Sequence, residues 1–134
     1  MRDINRIERI TKKLLDLWTI DTNIDSAVDN FTAFYSRVFL VNNHVRFYLE
    51  DNIFEEIIDK LLEKENVPEN YDNEKIEIMN KFTQLWYYVP DWRFNQLLCN
   101  FFCKGFDDLT DCNNITLKDL LNYYIDRMQN KDKM

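Results

Sequence analysis

Apolar residues recur at helical spacing along almost the whole chain. Ile7, Ile10, Leu14, Leu17 and Trp18 form one stripe over residues 4–18, with Asp3 placed to cap its start. The polar stretch 19–25 reads as a loop. Ala27, Val28, Phe31, Phe34, Tyr35, Val38, Phe39 and Val41 then predict a second helix over about 25–41. Asn42, Asn43 and His44 break that pattern, residues 45–49 read as extended, and Asp51 stands as the cap of a third helix carrying Ile53, Phe54, Ile57, Ile58, Leu61 and Leu62. Residues 64–73 hold Pro68 and no apolar period, which places a linker at 66–73. A fourth helix over about 74–88 turns Ile76, Ile78, Met79, Phe82, Leu85 and Trp86 inward, and Trp86 is expected to be an interior anchor.

The stretch 86–106 holds the densest run of bulky apolar side chains and reads as the centre of the fold. Pro90 biases Val89 away from helix, Asp91 is positioned as an N-cap, and Phe94, Leu97, Leu98, Phe101 and Phe102 follow at helical spacing. Gly105, the one glycine of the chain, suits the left-handed position that ends such a helix. A polar loop from Asp107 to Asn114 leads to a final helix starting at Thr116, with Leu117, Leu120, Leu121, Tyr124, Ile125 and Met128 repeating at three and four, and fraying from Gln129.

The pattern also repeats. Arg9–Trp18 lies over Glu77–Trp86 at a spacing of 68 residues, each followed by a polar stretch, an aromatic-rich helix, a polar loop and a short amphipathic helix. The expectation is one all-α domain spanning 1–134, a helical bundle of about six helices, with candidate repeat halves 1–65 and 74–130. Composition points the same way. One glycine and two prolines disfavour hairpins, barrels and phosphate-cradling loops, while 46% hydrophobic and 15% aromatic residues supply a sizeable core.

Leu85-Trp86, Pro90-Asp91-Trp92-Arg93-Phe94-Asn95-Gln96-Leu97-Leu98, Gly105-Phe106-Asp107 and the closing Asp-Leu-Leu-x-Tyr-Tyr helix together resemble small YihD-like bacterial proteins. The opening Met1-Arg-Asp-x-x-Arg-Ile7 and Phe47-Tyr48-Leu49-Glu50-Asp51 are similar to segments of related short proteins. The resemblance covers about half of the chain, departs from the family core at Asn23–Val28 and at Asn95, where glycine is common, and implies no reaction.

Charge bears on function. The net charge is -7, yet residues 1–18 sum to +2 through Arg2, Arg6, Arg9, Lys12 and Lys13 against Asp3, Glu8 and Asp16, so the remainder sums to -9. Such a body repels nucleic-acid phosphates and anionic membranes and suits basic protein surfaces. The chain opens on charged residues without an apolar segment, so a cytoplasmic location is expected, with Cys99, Cys103 and Cys112 as reduced thiols. A zinc site from the three cysteines and His44 has the wrong spacing, Asp107, Asp108 and Asp111 lack the glycine and bidentate glutamate of a calcium loop, and no nucleophile context is present. No cofactor, metal or enzymatic activity is expected. Tyr87, Tyr88, Trp92 and Arg93 around Pro90, together with Asp107, Asp108 and Asp111, are the partner-binding candidates. The expected function is that of an acidic interaction protein blocking a partner surface. By analogy, phage and mobile-element inhibitors of host defence such as anti-CRISPR proteins act so on basic nucleic-acid-binding proteins. The alternative is a small nucleic-acid-associated regulator using the basic first helix.

Overall fold

The computed structural model describes residues 3–40, 49–102 and 112–132, and among them there are six α-helices and no strand. The all-α bundle is as the periodicity indicates. The helices are α1 (Asn5–Ile24), α2 (Phe31–Tyr35), α3 (Asp51–Leu62), α4 (Asn73–Tyr88), α5 (Phe94–Phe101) and α6 (Asn114–Asp132). No described helix is long and apolar enough to cross a membrane.

Several boundaries differ from expectation. Residues 19–24 are helical rather than looped, because Thr19 and Ile20 are buried and the Thr22 hydroxyl donates back to the Trp18 carbonyl, so this polar stretch keeps its helical bonds. The second apolar run is not one helix. It comprises a 3₁₀ turn at Ser26–Val28, α2, and a π-helical turn at Ser36–Leu40. The break has a cause: the Phe31 amide, which a continuous helix would direct to Ala27, donates instead to Asn114 Oδ1 at 2.9 Å. α6 starts at Asn114 rather than Thr116, since Asn113 Oδ1 accepts the Thr116 amide at 2.8 Å, and it runs past Gln129 to Asp132. The expected extended segment before Leu49, with His44, and the expected cap glycine Gly105 lie outside the described residues.

Two caps are also reassigned. Asp51 is the first residue of α3, not its cap, and Asp91 does not cap α5. Asp51 instead reaches across the bundle, where its Oδ1 accepts the Phe94 amide at 2.9 Å and its Oδ2 accepts Arg6 Nε at 2.7 Å. Arg6 is 5% exposed and Asp51 3%. The guanidinium also donates to the carbonyls of Asp3 (2.9 Å), Pro90 and Trp92 (3.0 Å), and it lies 5.2 Å over the Trp86 ring. Arg6 falls one turn before Ile10 on the apolar stripe of α1, so its burial follows from helix geometry once such partners exist.

These contacts come in pairs. Asp51, at the start of α3, caps the amide of Phe94 at the start of α5; Asn114, at the start of α6, caps that of Phe31 at the start of α2. Both pairs stand 63 residues apart, Asp51 from Asn114 and Phe31 from Phe94. Arg6 bonds Asp51, and 68 residues on Glu74 Oε1 accepts from Asn114 Nδ2 at 2.9 Å. The Arg6 guanidinium covers Trp86 near the end of α4, while the buried ammonium of Lys75 lies 4.9 Å over Trp18 of α1. Each indole then donates into the segment that follows it, Trp18 Nε1 to the Val28 carbonyl at 2.9 Å and Trp86 Nε1 to the Trp92 carbonyl at 2.8 Å.

The two capped phenylalanines are the hubs of the core. Phe31 meets Trp18, Tyr35 and Phe82 at ring-centroid distances of 5.3, 5.8 and 5.0 Å, and Phe94 meets Trp86, Phe54 and Phe82 at 5.4, 5.8 and 5.8 Å. Between them Tyr35 donates its buried hydroxyl to Asn95 Oδ1, and burial pushes that phenol well above its ordinary range. Asn95, where the resembling family favours glycine, thus fills a core position.

Asp51→Ala leaves the Arg6 charge buried without its counter-charge and the Phe94 amide without its acceptor. The expected loss is about 3–5 kcal/mol, against about 1–3 kcal/mol for Asn114→Ala at the neutral counterpart. Urea melts of the two variants check this, and a cost below about 1 kcal/mol for Asp51→Ala would show that water serves Arg6 equally well.

Candidate functional site

Charge in this chain is concentrated in one segment. Residues 50–72 carry nine carboxylates and two lysines, a balance of -7 that equals the net charge of the whole protein. α1 neutralises part of it: Arg6 pairs with Asp51, Arg9 with Glu55 at 2.6 Å, and Lys13 with Glu55 and Asp59, both at 2.8 Å. Lys12 is held by Asp16 at 2.7 Å on its own helix. Arg9 clamps Glu55 through two nitrogens, and the Arg9 hydrogen bond, followed by that of Lys13, holds the carboxyl of Glu55 below its ordinary range. The described cations of the first helix therefore face carboxylates rather than an open surface; Arg2 lies outside the described residues.

What the cations of α1 do not pair is Glu56, midway along α3, and, past the end of that helix, Glu63, Glu65 and Glu69, all exposed and in no ion pair among the described residues. There the end of α1, the π-helical turn and the end of α3 enclose a cleft of about 370 Å³. Leu17, Val28, Val38 and Leu61 form its apolar walls, with Ile24 on the rim, and Asp21, Asp25, Arg37 and Glu65 supply its charge. Ile24 is 74% exposed and Leu61 40%. Glu65 also borders a small adjoining recess that includes Val67, itself 73% exposed. Three exposed aliphatic side chains, Ile24, Leu61 and Val67, thus share this cleft and recess with the carboxylates of Asp21 and Glu65.

The electrostatics of the cleft are unbalanced. Arg37, the one cation among its described lining residues, is taken by Asp25 at 2.5 Å. The Ala27 amide, and then Arg37, hold the Asp25 carboxyl below its ordinary range. Asp21 has no hydrogen bond or ion pair for its side chain. Burial, joined by the charge of Glu65 and opposed by that of Arg37, pushes its carboxyl up. A half-buried carboxylate facing a second carboxylate, with an apolar wall behind it, is chemically suited to a cation carrying an aliphatic stem, such as a Lys or Arg side chain.

The residues singled out from sequence are placed differently. Tyr87 is exposed, and partial burial with a hydrogen bond to Glu8 raises its phenol. Tyr88 and Trp92 are half-buried against the core, with Trp92 5.6 Å from Phe101. Arg93 pairs with Glu50. Trp86 is fully buried. Asp107, Asp108 and Asp111 lie outside the described residues, as do His44 and Cys103. Cys99 and Cys112 are free thiols whose pKa values are raised by burial, and no group of three or more metal-ligating side chains occurs among the described residues. Sequence reasoning passed over Asp21, Asp25 and Ile24 because it placed them in a loop; the signal that could have found them is that Leu17, Asp21, Ile24 and Asp25 follow one another at helical spacing.

Comparisons with protein-family models, curated proteins and solved structures return no match, so the likeness to YihD-like proteins rests on the quoted motifs.

The folded-state pKa of Asp21 lies above its unfolded value of about 4, so its stabilising contribution is complete below that pH and is lost as pH rises through the folded value. Ionised Asp21 therefore lowers stability at neutral pH. Asp21→Asn is expected to raise the melting temperature at pH 7 by about 1–3 °C and to leave it unchanged near pH 3. Calorimetry at the two pH values checks the sign, and a fall at pH 7 would show that the carboxylate is paired in solution.

Proposed function

We propose that this protein is a non-enzymatic interaction module whose acidic cleft between α1 and α3 receives a cationic, partly aliphatic segment of a basic partner protein. The observation that carries this reading is the unpaired pair Asp21 and Glu65, set against the exposed side chains of Ile24 and Leu61. A lysine or arginine from a partner would relieve their mutual repulsion while its methylenes cover the aliphatic wall. Partners with such segments include proteins that bind nucleic acids, and occupation of their basic surface is inhibition by charge mimicry, the mode expected from the sequence. The paired contacts at 63 and 68 residues support the accompanying reading that the two halves are copies of one three-helix unit.

The test is titration of a Lys/Leu amphipathic peptide by calorimetry. Asp21→Asn and Glu65→Gln are each expected to weaken binding about five- to tenfold while leaving the fold as stable or more so. Raising salt to about 0.5 M, where the Debye length is a few ångströms, should weaken it further. Affinity indifferent to both the substitutions and salt would overturn the reading.

A further inference from the structure

The structure builds a second cleft at the corresponding place in the other half. It lies between the end of α5 and the C-terminal half of α6, has a volume of about 520 Å³, and is lined by Asn100, Phe101, Tyr124, Arg127, Met128, Asn130 and Lys131. Its Asn100, Phe101, Tyr124 and Met128 stand 63 residues after Arg37, Val38, Leu61 and Glu65 of the acidic cleft. This is the same interval that relates the two capping pairs, so the α5–α6 walls of this cleft stand where the π-helical turn and α3 stand in the first.

Its chemistry is the reverse of the first. Glu65 is answered by Met128, Leu61 by Tyr124 and Val38 by Phe101, and no carboxylate appears among the described lining residues. Phe101 and Tyr124 pack at 5.1 Å with an interplanar angle of 48°, and Trp92 extends the aromatic surface behind Phe101. Arg127 and Lys131 are exposed, and neither is in an ion pair; the Arg127 guanidinium lies 5.7 Å over the Tyr123 ring. In a protein of net charge -7 these two cations stand beside an aromatic floor, and no carboxylate among the described residues pairs with either.

We infer that the α5–α6 cleft is a binding site for an organic anion with a flat apolar body, of the aromatic carboxylate class. The body would lie against Phe101, Tyr124 and the adaptable side chain of Met128, and the carboxylate would be met by Arg127 and Lys131, with Asn130 offering an amide donor. The volume falls within the range of about 300–1,000 Å³ typical of small-molecule sites. This site is independent of the acidic cleft, which selects the opposite charge.

Titration of the full chain with 2-naphthoate, followed through the side-chain amide NMR signals of Asn100 and Asn130, tests this. The neutral isostere 2-naphthamide serves as the control for apolar contact alone. Saturable shifts are expected with naphthoate, at least about tenfold tighter than with the amide, and the double substitution Arg127→Gln and Lys131→Gln should reduce the acid to the level of the amide. Both replaced side chains are exposed and unpaired, so the fold should be unaffected, and binding of the Lys/Leu peptide to the acidic cleft should be unchanged. Absence of saturable shifts up to about 5 mM, or equal affinity for acid and amide, overturns the inference.

Discussion

A guanidinium buried near the start of α1 sets the terms for the rest of this structure. Arg6 cannot lose its proton, and its donors must all be met once it leaves water. They are met by the carboxylate that opens α3 and by carbonyls of the turn that joins α4 to α5, with the Trp86 ring against the guanidinium. Four elements are thereby fixed to one point. Replacing such a pair by apolar groups of equal volume is often neutral for stability, so its consequence is better sought in geometry: it specifies which end of α3 lies beside which end of α1. With that register set, Glu55 and Asp59 fall opposite Arg9 and Lys13. Of the α3 carboxylates only Glu56 is then left without an ion pair, and the remaining negative charge of the segment, Glu63, Glu65 and Glu69, lies past the end of the helix.

Helical periodicity made most of the architecture legible, because apolar stripes such as Ile7, Ile10, Leu14 and Trp18 bury the same face whichever helix covers it. Trp18 and Trp86 each end such a stripe, and both are fully buried. The capping was not. Asp51 reads as a local helix cap and Asn114 as the end of a polar loop, yet the side-chain oxygen of each accepts the first amide of a helix distant in sequence, a long-range choice that no local propensity encodes. The break before Phe31 was hidden for that reason too: its apolar spacing is helical on both sides of Asn30, and only the distant amide acceptor decides where the helix begins.

The candidate site was less legible than the fold. Arg6, Arg9, Lys12 and Lys13 looked like a basic face because sequence shows charges without their partners, and the partners lie more than forty residues away on α3 for all but Lys12. Conversely Leu61 and Val38 looked like core because their spacing is that of their buried neighbours, although both border a cleft. The aromatic cluster around Pro90 was visible as composition, but Trp86 is wholly internal and Trp92 leans on Phe101, so its members serve different surfaces.

Paired scaffolding and unpaired chemistry together explain why function would reside at the clefts. Where the two halves correspond in structure they also correspond in role: capping oxygen to capping oxygen, cation over indole, phenylalanine hub to hub. Every one of those positions is satisfied by a partner within the chain. The clefts break this rule. At an interval of 63 residues Glu65 is answered by Met128 and Arg37 by Asn100, so one cleft is lined by carboxylates and the other by cations, and Asp21, Glu65, Arg127 and Lys131 are in no ion pair among the described residues. Asp21 remains ionisable where burial opposes its charge, at a cost that one neutral substitution would remove. Among the described residues Thr19 Oγ1 and Asn95 Nδ2 are buried without a hydrogen-bond partner and neither lines a cleft, so what the clefts leave unmet is charge, which only solvent or a partner can answer.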